Sequence, residues 1–159
     1  MAYRPTALTD PTAALAEVRA VYDEVANRHV ERSCTLRTEC CQFRLTGAMP
    51  LLTKGEALLA ARALRSSGRT KLPVRDDGAC PMLKQDGKCM IYEHRPFGCR
   101  THFCAAAGGP YARRDVLDLI RRLEAVDVKL RGSGSHPLPV AMKQILTEEM
   151  VQSRSQRRV

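Results

Sequence analysis

The chain of 159 residues is long enough for one domain with a modest core, and its 44% hydrophobic content excludes a disordered polypeptide. Trp is absent and aromatic residues make up 4%, so the core must be built mainly from aliphatic side chains. The formal net charge of +9 permits attraction to nucleic acid or anionic lipid, although a solvated basic surface is the simpler explanation.

Apolar residues recur at helical spacing in four segments, so the expected fold is mostly α. The helices are predicted over residues 10–31, 53–67, 111–131 and 139–151. The second begins with Thr53 and Glu56 in a capping-box pattern, in which each side chain satisfies a backbone donor of the other. We therefore expect a small single domain of about four helices with a cysteine-rich, metal-bound loop and β-hairpin region.

The hairpin is predicted from the Asp86-Gly87 pair, which is typical of a two-residue turn between short strands. Its second strand would place Cys89 and Ile91 on one face and Met90 and Tyr92 on the other. The Gly- and Ser-rich residues 132–137 are predicted to be a flexible linker.

The chain divides into four predicted parts that together form one domain. Residues 1–33 form an N-terminal helix, residues 34–104 a cysteine-cluster core, and residues 105–151 a C-terminal helical part. Residues 152–159 form a basic tail.

Seven cysteines are the main functional signal, and they fall in two groups separated by the second helix: Cys34, Cys40 and Cys41, then Cys80, Cys89, Cys99 and Cys104. No signal peptide and no stretch of about 20 apolar residues is visible, so we expect a cytoplasmic protein without a membrane span. Thiols stay reduced there, and an odd number of cysteines cannot pair fully within a monomer, so metal ligation is favoured over disulfides. Thiolate ligands suit zinc, copper(I) and iron–sulfur clusters.

The spacing leaves the number of metal sites open. No C-x-x-C pair is present, which disfavours an ordinary zinc finger. Adjacent Cys40 and Cys41 can reach one site only if the chain turns between them. Seven cysteines with one histidine would complete two tetrahedral zinc sites, and His102 is the best candidate for that ligand.

Two arginines, Arg95 and Arg100, flank Cys99. We expect them to neutralise or hydrogen-bond an anionic thiolate site, and surface salt bridges are their alternative role.

Two motifs carry a resemblance to a known family: C-P-x-L at residues 80–83 and C-x-I-Y-x-x-R-P-x-x-C-R at residues 89–100. The chain resembles the YkgJ-type cysteine-cluster family of zinc- or iron-chelating domains over about residues 34–104. That family usually carries C-x-x-C-G-x-C-C before a helix that starts near T-x-x-E. Cys34, Cys40 and Cys41 fit this frame, whereas Arg37 stands where the family has a cysteine.

The resemblance implies binding of a metal or an iron–sulfur cluster. The leading hypothesis is a metalloprotein with an iron–sulfur cluster, favoured as 4Fe-4S, in redox chemistry or in catalysis on a protein or small-molecule substrate that the sequence does not identify. A structural zinc module, with Zn²⁺ in place of the cluster, is the first alternative. It would present a partner-binding or, as a weaker candidate, nucleic-acid-binding surface through the tail and the arginines at 113, 114, 121 and 122. A metal sensor, chaperone or store is the third hypothesis.

Overall fold

The computed structural model describes residues 11–28, 39–104 and 107–157. The helices within these ranges are α1 (Pro11–Asn27), α2 (Phe43–Thr46), α3 (Lys54–Ser66), α4 (Phe97–Thr101), α5 (Leu117–Lys129) and α6 (Leu138–Gln156). Two short strands, β1 (Leu51–Leu52) and β2 (His136–Pro137), pair antiparallel. The expected fold class, a small mostly helical domain, is confirmed.

Helix α1 forms over most of the segment in which it was predicted, while residue 10 and residues 29–31 of that prediction lie outside the described residues. Its apolar stripe, Leu15, Val18, Tyr22 and Val25, is buried. The stripe packs against α5 and α3, so the helical period in the sequence identified a core-facing side.

Helix α3 confirms the capping-box prediction. Thr53 is its N-cap, and the Glu56 carboxylate accepts hydrogen bonds from the Thr53 backbone N–H (3.0 Å) and hydroxyl (2.9 Å). Gly68 follows the helix at φ +83°, a left-handed conformation that glycine adopts without strain and that suits a helix end.

The core consists of two clusters on opposite sides of α3. One joins α3 to α6 and the cysteine region through Leu64, Met142 and Met82. The other joins α1 to α5 and includes Leu59 of α3 and Phe97 of α4. Helix α3 is therefore the wall that the two clusters share.

The last two predicted helices have different bounds in the structure. Residues 113–116 form a 3₁₀ turn ahead of α5, so the regular α-helix begins at Leu117 rather than at residue 111. Helix α6 extends to Gln156, beyond the predicted end at residue 151 and into the predicted tail. Met150, near the predicted end of the helix, is 41% exposed.

The predicted flexible linker over residues 132–137 is wrong, because this segment is tied to buried Asp127. Asp127 accepts hydrogen bonds from the backbone N–H of Gly132 at its carbonyl (2.8 Å) and of Gly134 at its carboxylate (2.9 Å). The segment then pairs as β2 with β1. It is a structured connection that returns the chain to the start of α3.

The predicted hairpin is present in a minimal form, with an isolated bridge between Leu83 and Cys89. Its turn is longer than predicted: the backbone N–H of Lys84 donates to Lys88 O (2.8 Å), which leaves residues 85–87 as a three-residue loop. Gly87 ends that loop at φ +77°, as expected for a type I turn followed by a left-handed residue.

Among the described residues, none of the helices combines the length and the apolar character needed to cross a membrane.

Candidate metal centre

Three separate segments bring cysteines to one place. Cys40 and Cys41 lie on a 3₁₀ turn at residues 39–41, Cys80 and Cys89 lie on the hairpin, and Cys99 lies on α4. The 3₁₀ turn supplies the change of direction that adjacent cysteines need to face one site. Helix α3 returns the chain between the two groups, and these five cysteines line one cavity.

A backbone hydrogen bond fixes the contact between the two groups, from the Cys80 N–H to the Cys41 carbonyl (2.7 Å). Close by, the Arg75 guanidinium donates to the Asp77 carboxylate and to the Leu83 carbonyl (2.6 Å). Main-chain and side-chain hydrogen bonds therefore fix the loop that carries Cys80.

The five sulfur atoms border a cavity of about 530 Å³. Apolar side chains from three parts of the chain form much of the remaining wall: Met82, Ile91, Tyr92, Pro96 and Leu138. Lys84, Asp86, Gly87, Lys88 and Arg95 complete the lining. Tyr92 thus lines the same cavity as Cys89 and Ile91, although the predicted strand pattern placed it on the opposite face.

The pKa values of the cavity thiols are raised in four of the five cysteines and lowered in Cys40. Burial raises the pKa of Cys80 to about 11 and raises that of Cys89. Burial, and then repulsion by neighbouring thiolates, raises the pKa of Cys99. The hydrogen bond from Cys41 lowers the pKa of Cys40 and raises that of Cys41 in return. A bound cation would have to displace protons from this set.

The donor set fits a thiophilic group. The cysteines among the described residues are free thiols. Within the same part of the chain, no three Cys, His, Asp or Glu side chains form a compact group ready to hold a single ion. The five cysteines instead line one cavity, and soft sulfur donors suit zinc, copper(I) or an iron–sulfur cluster.

Arg95 and Arg100, both predicted beside the site, have different surroundings. The Arg95 guanidinium lines the cavity, lies 4.0 Å from the Tyr92 ring centre, and its charge opposes the upward shift in the pKa of Cys89 and Cys99. Arg100 stacks on Tyr22 at 4.3 Å and donates to the Arg95 carbonyl (2.7 Å). Its contact with the cavity is therefore indirect, through the backbone of Arg95.

Two other predicted ligands, His102 and Cys104, are not among the described residues that line the cavity. His102 follows α4, where its backbone N–H donates to Gly98 O (3.1 Å), and the Cys104 carbonyl accepts bonds from the N–H groups of Ala107 (2.9 Å) and Gly109 (3.0 Å). Cys34 and Arg37 lie outside the described residues. Metal ligation by each cysteine stays a prediction.

Sequence patterns missed the apolar wall and the helix that carries Cys99. Leu138 reaches the cavity from α6, almost 50 residues beyond the hairpin, and no local signal links the two. Helix α4 has five residues, too few for an apolar period, although Pro96 directly before it is a common residue at helix starts.

Comparison with known proteins gives one family. The family model CxxCxxCC, described as "Putative zinc- or iron-chelating domain", matches residues 30–119, more than half of the chain. No curated protein and no solved structure matches the chain significantly. The match covers the five cysteines of the cavity as well as Cys34 and Cys104, and the chain therefore belongs to this zinc- or iron-chelating cysteine-cluster family.

Proposed function

We propose that this protein holds an iron–sulfur cluster, with 4Fe-4S favoured, and uses it in redox chemistry or in cluster-based catalysis on a protein or small-molecule substrate. The observation that carries the proposal is the set of five thiols around one cavity of about 530 Å³. A cluster needs several cysteine ligands spread around a body larger than a single ion, and cysteine thiolates are its usual ligands.

The proposed ligands come from Cys40, Cys41, Cys80, Cys89 and Cys99, which is more than the four that a cubane cluster commonly takes. Cys34 and Cys104 are further ligand candidates that rest on the sequence alone. A bound cluster would supply one-electron redox chemistry or an iron atom that accepts an electron pair from substrate.

The chain's own residues would tune that group. Met82, Ile91 and Leu138 keep water away from the sulfur atoms, and the Arg95 guanidinium offsets thiolate charge. Both solvent access and charge near the sulfurs set the potential of such a centre. We propose that this chemistry takes place in the cytoplasm, where thiols remain reduced.

A structural Zn²⁺ site is the second candidate, and the weak regular structure of the cysteine region favours it. The hairpin has a single bridge, and residues 69–79 contain no helix or strand. A metal cross-link would stabilise such a segment. Arg122, one of the arginines expected to form a nucleic-acid-binding surface in this alternative, is held in ion pairs with Glu17 (2.7 Å) and Glu24 (2.5 Å). This pairing weakens the hypothesis of nucleic-acid binding.

Metal analysis of protein purified without oxygen tests the proposal. We expect a brown protein that absorbs near about 400 nm and contains iron and sulfide in equal amounts, since iron–sulfur centres are coloured whereas zinc has a filled d shell. Iron, sulfide, zinc and copper are counted on one sample. Colourless protein with stoichiometric zinc would overturn the cluster in favour of the structural site. Protein without metal after both anaerobic purification and reconstitution would overturn both.

A further inference from the structure

Glu56 is a buried carboxylate, 2% exposed, that joins three helices. Its Oε2 accepts hydrogen bonds from the Thr53 backbone N–H (3.0 Å) and hydroxyl (2.9 Å). Its Oε1 accepts hydrogen bonds from the Tyr22 hydroxyl (3.3 Å) on α1 and from the Phe97 backbone N–H (2.8 Å) on α4. Oε2 therefore stabilises the start of α3, whereas Oε1 links α3 to α1 and α4.

The capping box accounts for the hydrogen bonds at only one of these oxygens. Capping of α3 requires the bonds at Oε2, which Thr53 provides, and leaves Oε1 free for other donors. The Phe97 N–H is one of the donors at the start of α4 that have no partner within the helix. A buried donor of this kind must find an acceptor, and Glu56 supplies it from a distant helix.

All four groups around Glu56 are placed as donors to it. An ionised carboxylate only accepts hydrogen bonds and so matches the two fixed backbone N–H groups as well as the two hydroxyls. Burial raises the pKa of Glu56, while the bonds from Thr53 and Phe97 oppose that rise. The carboxylate is the form that this arrangement of donors favours.

We propose that Glu56 is a positioning residue for the metal centre, which fixes the start of α4 and thereby the sulfur of Cys99. The inference rests on the metal-binding function proposed above. Cys99 lies two residues after Phe97, and its N–H donates to Pro96 O (3.0 Å) within the same turn. A shift of the Phe97 N–H would therefore carry Cys99 with it.

The same network reaches the Arg95 side of the cavity. Tyr22, whose hydroxyl donates to Glu56, contacts the Arg100 guanidinium through the face of its ring. The Arg100 guanidinium in turn donates a hydrogen bond to the Arg95 carbonyl. Glu56 is thus connected to the cavity through the helix of Cys99 and through the backbone of the cavity arginine. Partners of this kind around metal ligands typically change metal affinity by about 10- to 100-fold when they are removed.

The variant Glu56→Gln tests the inference because it keeps the shape of the side chain. Gln has one acceptor oxygen, whereas the Thr53 and Phe97 N–H groups sit on different oxygens of Glu56, so one of them must face the amide NH₂. We expect bound metal to be lost to a chelator at a concentration about 10-fold or more lower than for the wild type.

Asp127→Asn is the matched control. Asp127 is also buried (4% exposed) and accepts the Lys54 N–H (2.7 Å) at the start of the same helix, but its second oxygen binds Gly134, away from α4. We expect Asp127→Asn to lower the melting temperature of the metal-free protein, as we also expect of Glu56→Gln. Metal retention in Asp127→Asn should stay within about 2-fold of the wild type. Equal metal loss in the two variants, or wild-type retention in Glu56→Gln, would overturn the inference.

A second pair keeps the test decisive if Glu56→Gln does not fold. Tyr22→Phe removes a hydroxyl donor at Oε1 and keeps the ring under Arg100, whereas Thr53→Ala removes a hydroxyl donor at Oε2. We expect Tyr22→Phe to weaken metal retention and to shift the absorption bands of the bound centre, and Thr53→Ala to lower stability without either effect. The reverse order, or no difference between the two, would contradict the role of Oε1. Wild-type protein without metal would refute the proposed function instead.

Discussion

The sharpest prediction for the site compares two cysteines that the sequence places in the same candidate ligand group. Cys99→Ser changes a sulfur that borders the cavity, and Cys104→Ser changes one that is not among the lining residues. Serine is close to cysteine in size but is a poor ligand for soft metals. The structure therefore predicts metal loss for the first variant and wild-type behaviour for the second.

The size of the effect follows from the number of ligands. Structural Zn²⁺ binding to four ligands is worth about 10–16 kcal/mol, or roughly 3 kcal/mol for each ligand. One ligand lost then weakens metal binding by about 100-fold, since each 1.4 kcal/mol corresponds to a factor of about ten. Metal-free Cys99→Ser should be as stable as the wild type, because burial and neighbouring thiolates already disfavour a charged sulfur at this position.

The assay is a chelator titration with metal counted by elemental analysis, next to melting curves of the metal-free and metal-loaded proteins. Cys99→Ser should lose about 3 kcal/mol of the stabilisation that metal gives the wild type, while Cys104→Ser should keep it in full. Full metal retention in Cys99→Ser would refute the placement of the site. Equal losses in both variants would return Cys104 to the ligand set that the sequence predicts.

Two further predictions concern the frame of the site. Gly55→Ala should destabilise the protein by about 1–2 kcal/mol in urea unfolding. The new Cβ would lie 2.9 Å from Val18 and 3.0 Å from Val126, two branched side chains on different helices. The cost of this overpacking outweighs the gain in helix propensity. A stabilised variant would contradict this. The Arg75 guanidinium lowers the pKa of Asp77, so this pair stabilises the fold above the usual Asp pKa of about 4 and ceases to do so as pH falls through the lower folded-state pKa. Melting of metal-free wild type and Asp77→Asn should therefore differ near neutral pH and converge in acid, whereas a difference that grows in acid would exclude the pair as its cause.

The helices could be predicted because each carries its own signal. The buried stripe of α1 has a helical period, and Thr53 with Glu56 identifies the start of α3. Helix α4 carries no such signal, since five residues are held by a distant carboxylate rather than by a local pattern. The linker was mistaken for a flexible segment because the contacts of Asp127 with it depend on the tertiary structure.

The site was predicted in outline for a similar reason. Cysteine is identifiable by its chemistry wherever it lies, so the ligand types and the two groups were visible in the sequence. Their grouping depends on packing: Cys80 and Met82 belong to the cluster between α3 and α6, whereas Phe97 belongs to the cluster between α1 and α5. Which sulfurs share a cavity is decided by how these clusters meet, and spacing along the chain does not contain that information.

The position of the cavity between the two clusters gives metal binding a structural consequence. Cys80 is packed into one cluster, and Cys99 follows Phe97, which is packed into the other. A group bound by both sulfurs would cross-link the two halves of the core near the start of α3. The buried carboxylate of Glu56 already joins α1, α3 and α4 there. Metal binding and Glu56 therefore act on the same junction. Because Glu56→Gln is also expected to weaken metal binding, the melting temperature should depend on Glu56 more strongly in the loaded protein than in the metal-free protein.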